Sequence, residues 1–275
     1  MLHERLSRRR LVQVAGGLFL ASVVEFRPAG LGAVAMTRMR FVEQGVFPRQ
    51  GRYQSAVFHT SQPFNSLELN WQAELPPGSA LRLAVRASVD GAAWTEWVDV
   101  QPDPHAAEPG APRQFAAPVL LGPSGYAQYR VDLLTNDAGQ APALSQVELS
   151  CVDTSPPAQF LSTASPPLLD GWIIPRKTWG ADESLRFDAQ GKEIWPEAYR
   201  PLQKVIIHHT ATQNQETDPA ATVRAIYYYH AVTLGWGDIG YNFLVDWQGN
   251  VYEGRFGGPN VVGGHALNTT TAASA

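Results

Sequence analysis

The chain has 275 residues, enough to bury one large core or two ordinary ones, and 44% of them are hydrophobic against 17% charged, the balance of a folded protein rather than a disordered one. The formal net charge of -4 gives no electrostatic basis for binding nucleic acid. Cys151 is the only cysteine, so neither an intramolecular disulfide nor a cysteine-based metal cluster can form, and a metal site would have to use His, Asp or Glu.

The first 35 residues have the layout of an export signal. A basic patch, Ser7-Arg8-Arg9-Arg10-Leu11-Val12, precedes a short apolar run, and Ala33-Val34-Ala35 offers a small-x-small cleavage site. The apolar run is too short and too rich in glycine to span a bilayer, so no stable membrane span is expected once the signal is removed. The paired arginines resemble a twin-arginine signal, which implies a bacterial protein exported to the periplasm, cell wall or exterior. Removing residues 1–35 takes away five basic and two acidic residues and leaves a net charge of -7.

Residues 40–153 read as an antiparallel β-sandwich. Short runs such as SLELNW, ALRLAVRASV, TEWVDV, AQYRVDLL and ALSQVELSCV alternate apolar and polar positions, as half-buried strands require. Pro76-Pro77-Gly78 and Asp90-Gly91 mark turns between them. The region is weakly similar to the galactose-binding-like accessory modules of secreted enzymes. Trp94 and Trp97 suit either a sugar-stacking platform or core packing; three positions apart in a strand they point to opposite faces, which favours packing for at least one.

Residues 154–170, with two Pro-Pro pairs among small polar residues, read as a semi-extended linker. A second domain follows over residues 171–275. Its expected elements are a strand over KVIIHHT, a helix with Asp218 as N-cap and Pro219 in its first turn, and a hairpin in YNFLVDWQGNVYEGR turning at Trp247-Gln248-Gly249-Asn250. Val223, Ile226, Tyr227, His230 and Leu234 fall on one helix face, and Gly235 can close the helix. Strand, helix and hairpin together predict an α/β domain with a mixed central sheet.

Four of the seven histidines, His208, His209, His230 and His265, fall in the last quarter of the chain. In a strand, His208 and His209 point to opposite faces, so only one can reach a given metal. His230, on an apolar helix face, suits a buried, hydrogen-bonded role.

Four blocks in this region carry a family resemblance: IIPRKTWGA (173–181), VIIHHTAT (205–212), YYHAVTLGWGDIGYNFLVDWQGNVYEGR (228–255) and VVGGHALN (261–268). Residues 172–268 resemble the peptidoglycan recognition proteins and the type-2 N-acetylmuramoyl-L-alanine amidases. The resemblance implies that His208 is a zinc ligand and that Tyr241 stands beside the metal and assists catalysis. His209, Trp236 and His265 are further candidates for contacting substrate; His265, in a Gly-rich turn, equally suits a loop residue bonded to backbone. Asn242, on the opposite strand face from Tyr241, is not expected in that contact set.

The implied activity is hydrolysis of the amide between the lactyl group of N-acetylmuramic acid and the L-alanine of the stem peptide. In such a site, one Zn2+ with an open position lowers the pKa of its water to ~7 and polarises the scissile carbonyl, while a phenol stabilises the oxyanion. The family's other two ligands lie downstream of the VVGGHALN block. The present sequence reaches Ala275 without them, so the expected domain is incomplete at its C-terminal side and its ligand set is incomplete. Two functions are therefore implied, an exported zinc amidase and a peptidoglycan-binding protein without catalysis.

Overall fold

The computed structural model describes residues 11–15, 18–26, 37–104, 106–107, 110–155, 172–258 and 260–264. The chain divides into two compact units, one built mainly from residues 1–27, 36–103 and 109–153, the other mainly from residues 154–275.

The first unit is an antiparallel sheet. Strands β1 (Leu11–Ala15) and β2 (Leu18–Phe26) form a hairpin, and β2 pairs with β3 (Thr37–Gly45) over nine residue pairs. Two backbone segments of the expected export signal thus occupy one edge of the sheet, while Ala33-Val34-Ala35 lies outside the described residues. Beyond β3 come β10 (Ala143–Val152), β5 (Phe58–Glu74), β9 (Val119–Leu134), β6 (Ala80–Ser88) and β7 (Val98–Asp99). β4 (Gly51–Gln54) pairs with β9, and β8 (Arg113–Phe115) pairs with β5.

The two long strands do the folding. The β5–β9 register shifts between His59, Phe64 and Ser66, and such bulges let one continuous sheet bend. Phe41 of β3, Phe58, Leu67, Leu69 and Trp71 of β5, Leu83 and Val85 of β6, Tyr129 and Val131 of β9 and Val147 and Leu149 of β10 then share one hydrophobic core. Phe58 stacks on Phe41 and on Tyr129, with ring centroids 4.7 and 6.1 Å apart. On the other face of β10, Glu148 and Ser150 are also buried: Arg38 donates to Ser150 Oγ at 2.9 Å and lies 3.7 Å from both Glu68 and Glu148. Burying that face requires these charges to be paired.

The tryptophans depart from the strand expectation. Only Val98–Asp99 of TEWVDV is in a strand, so the alternation rule does not apply at Trp94 and Trp97. Both half-buried indoles stack on the one guanidinium of Arg86, with Cζ 4.5 Å from the Trp94 ring and 4.6 Å from the Trp97 ring, and Arg130 lies 4.8 Å from Trp97. They lie together around that guanidinium, and neither is in the apolar core.

The second unit holds a mixed three-stranded sheet, ordered β11 (Ile173–Ile174), β13 (Val251–Glu253) and β12 (Phe243–Val245), with β11 parallel and β12 antiparallel to β13. The hairpin turns where expected: Asp246 N–H donates to Asn250 O at 3.1 Å, and Asp246 Oδ1 accepts from the N–H groups of Gln248 and Asn250. A short helix α1 (Arg176–Trp179) follows β11, and α2 (Pro219–Tyr228) starts as predicted, with Asp218 Oδ1 accepting from Ala221 N–H at 3.0 Å.

Two expectations fail in this unit. The segment KVIIHHT forms no strand, and Val205, Ile206 and Ile207 are 57, 41 and 89% exposed. A short apolar run permits a strand, but a strand exists only against a neighbour that takes its N–H and C=O groups, and no described strand runs beside it. The helix does not continue as an α-helix to Leu234 either: Tyr229–Thr233 is a π turn. The linker from residue 156 to residue 170 lies outside the described residues. Among the described residues no helix is long and apolar enough to cross a membrane.

Candidate functional site

The site is assembled where α2 ends. The π turn widens the helix by one residue, a local change found often at functional positions. Trp236 N–H donates to His230 O at 3.0 Å and Gly237 N–H to Ala231 O at 3.1 Å, so the chain folds back over His230. Gly235 and Gly237 make this possible with φ of 77° and 83°, a region costly for residues carrying a Cβ.

The fold-back brings four rings together. His230 is buried against Trp236, centroids 4.7 Å apart, and meets Tyr241 edge to face at 5.1 Å. His208 reaches the same tyrosine, also edge to face, at 5.2 Å. The buried Tyr241 ring is therefore in contact with two imidazoles.

Hydrogen bonds assign the imidazole nitrogens. Gly240 N–H donates to His230 Nδ1 at 3.1 Å, so that nitrogen is an acceptor and the hydrogen of this neutral ring is on Nε2. His208 is the converse. Its Nδ1 lies 2.9 Å from the carbonyl oxygen of His209, which can only accept, so Nδ1 carries a hydrogen and donates it there. A carbonyl on the far nitrogen is the usual way of orienting a metal-binding imidazole. The cluster thus brings two imidazoles and a phenol together, side chains whose chemistry suits amide and carboxylate groups.

The remaining predicted residues are distributed as follows. His209 is exposed and contributes its carbonyl. Trp236 is half-buried and flanks His230; a Cβ on Gly240 would come within 2.9 Å of its ring. Asn242 turns away from the cluster and donates to Val261 O at 2.7 Å. His265 lies outside the described residues.

The described residues do not fit a zinc centre. Among them no three His, Cys, Asp or Glu side chains come together in a way that could hold a metal, and a catalytic zinc needs three protein donors.

Sequence reasoning missed the charged support beneath the site. Asp238, 1% exposed, pairs with Arg176 at 3.0 Å and Arg255 at 2.8 Å. Arg176 also bonds Glu183 at 2.8 Å, and Arg186 bonds Glu193 and Glu197. Burial opposes the Arg176 charge, but Asp238 and Glu183 outweigh it and hold its pKa above the ordinary value; at Arg255 burial prevails and the pKa falls. Arg176, Asp238 and Arg255 lie within the family-like blocks, yet partners as far apart as Arg176 and Asp238 leave no local pattern to read.

Comparison with known proteins agrees with the resemblance. A peptidoglycan-recognition protein SC2 of Drosophila simulans is 51% identical over 69 residues, 24% of this chain and 36% of that protein. A human N-acetylmuramoyl-L-alanine amidase is 34% identical over 130 residues, 44% of this chain and 21% of that protein. The chain thus spans about a third of the length of the first curated relatives it matches. No protein-family model matches the chain. Among solved structures, a xyloglucanase domain of a type three effector from Sinorhizobium fredii, in complex with cellobiose, aligns over 54% of this chain and 96% of its own, at 12% identity and a TM-score of 0.19, too low to assign a fold.

Proposed function

We propose, from the similarity of the chain to peptidoglycan-recognition proteins and to an N-acetylmuramoyl-L-alanine amidase, that this protein binds the muramyl peptides of peptidoglycan. The observation that carries this reading is the contact of Tyr241 with both His208 and His230. The two imidazoles and the phenol would take the amide and carboxylate groups of the stem peptide, and Trp236 would give them an apolar wall. The test is co-sedimentation of the purified chain with insoluble peptidoglycan. Retention that persists in a chelator supports binding by the protein's own groups, and no retention with or without added zinc sinks the proposal.

A second reading, zinc-dependent hydrolysis of the lactyl-L-alanine amide, is favoured by His208, whose ring is oriented by the His209 carbonyl and meets Tyr241. It needs two further donors, which the described residues do not provide. Release of stem peptides that stops in a chelator and returns with zinc would establish it.

We also propose export by the twin-arginine route, on the basic patch that precedes the apolar run, and a galactose-binding-like role for the first unit in holding the protein at the wall. Replacing Arg8 and Arg9 by lysine and following the protein in cell fractions tests the route; unchanged export refutes it.

A further inference from the structure

We infer that Asp238 is a positioning residue that sets the tautomer of His230 and the place of Tyr241; its effect on muramyl-peptide binding rests on the function proposed above. Four hydrogen bonds converge on its carboxylate. Oδ1 accepts from Ile239 N–H at 2.8 Å and from Arg176 Nη1 at 3.0 Å, and Oδ2 accepts from Arg255 Nη1 at 2.8 Å and Phe256 N–H at 3.0 Å. Two of these donors are backbone groups, which a carboxylate serving only to neutralise arginines would not need.

Both arginines carry the constraint onward to the tyrosine. Arg176 Nη1 also donates to Gly254 O, while Gly254 N–H donates to Asn242 O at 2.9 Å and Arg255 N–H to Tyr241 O at 2.7 Å. The backbone of Tyr241 and Asn242 is therefore pinned to the two residues whose partners Asp238 holds.

On the other side the link is shorter. Gly237 and Gly240 flank Asp238 and Ile239 and bring no side chain to fix the peptide planes, so the capture of Ile239 N–H by Oδ1 takes that place. The next N–H, of Gly240, then points at His230 Nδ1. Because that nitrogen must accept, the ring is held neutral with its hydrogen on Nε2. A buried ion pair is by itself weak evidence for a contribution to stability, whereas holding a defined geometry is a use such groups are suited to.

The test is histidine-selective 15N NMR on the whole chain, with the His230 signals identified by their loss in His230→Gln. In the wild type, Nδ1 is expected as the unprotonated nitrogen and Nε2 as the protonated one. Asp238→Asn, nearly isosteric, should melt cooperatively yet show His230 as a mixture of tautomers, with the Kd for a soluble muramyl tripeptide raised about tenfold. A folded Asp238→Asn protein with the wild-type tautomer and affinity overturns the inference. Should that variant not fold, Arg255→Lys keeps a cation opposite Asp238 and is read the same way: a shifted tautomer supports the inference, an unshifted one overturns it. If the wild type binds no muramyl peptide, the proposed function fails, while the tautomer still decides the role of Asp238.

Discussion

His208 and Tyr241 meet edge to face, ring centroids 5.2 Å apart, although 33 residues separate them and neither lies in a regular element. The imidazole donates from Nδ1 to the His209 carbonyl, and that bond fixes the ring beside the phenol.

Tyr241→Phe keeps the ring contacts with His208 and His230 and removes only the hydroxyl. If the protein hydrolyses peptidoglycan, turnover measured by stem-peptide release should fall about 10²-fold, the usual loss for one oxyanion donor, with an unchanged melting temperature. Undiminished turnover takes Tyr241 out of that role.

Gly254 has no room for a methyl group. A Cβ there would strike the carbonyl oxygen of Tyr241 and come within 3.0 Å of the Asn242 carbonyl, and these are backbone atoms that cannot rotate away. Gly254→Ala should cost about 1–3 kcal/mol in stability and reduce retention on peptidoglycan. A denaturation curve matching the wild type would show that the strand pair can open at no cost.

The Asp246 turn should make the hairpin sensitive to acid. Burial works to raise the Asp246 pKa, but hydrogen bonds from Asn250, Tyr252 and Gln248 outweigh it and hold the pKa below the ordinary carboxylate value. A depressed folded-state pKa means that this stabilisation is full above the unfolded-state value and is lost as the pH falls through the folded-state value. Melting curves between about pH 5 and about pH 2 should show a smaller acid-induced loss in Asp246→Asn than in the wild type. Parallel losses in the two proteins would assign the acid sensitivity to other carboxylates.

Arg86 joins Trp94 and Trp97 in one stack. Arg86→Ala should destabilise the first unit by about 1–2 kcal/mol without changing retention on peptidoglycan. Weakened retention in a folded variant would instead favour a stacking platform for sugar.

Much of the local structure was legible in the sequence. Apolar alternation located β5, β6, β9 and β10, Asp218 marked the start of α2, and Gln248-Gly249 marked the hairpin turn. Each of those signals is complete within a few residues, because side-chain alternation, capping and turn chemistry act over that range. Tertiary structure decided the rest. Whether KVIIHHT is a strand depends on a lateral partner, the Trp94–Arg86–Trp97 stack on strands brought alongside, and the π turn at His230 on the chain folding back over it. The Asp238 hub joins Arg176, Arg255 and Phe256, up to 62 residues away in the chain. Pairing of a buried charge is settled by which groups meet in space, and no local periodicity records it.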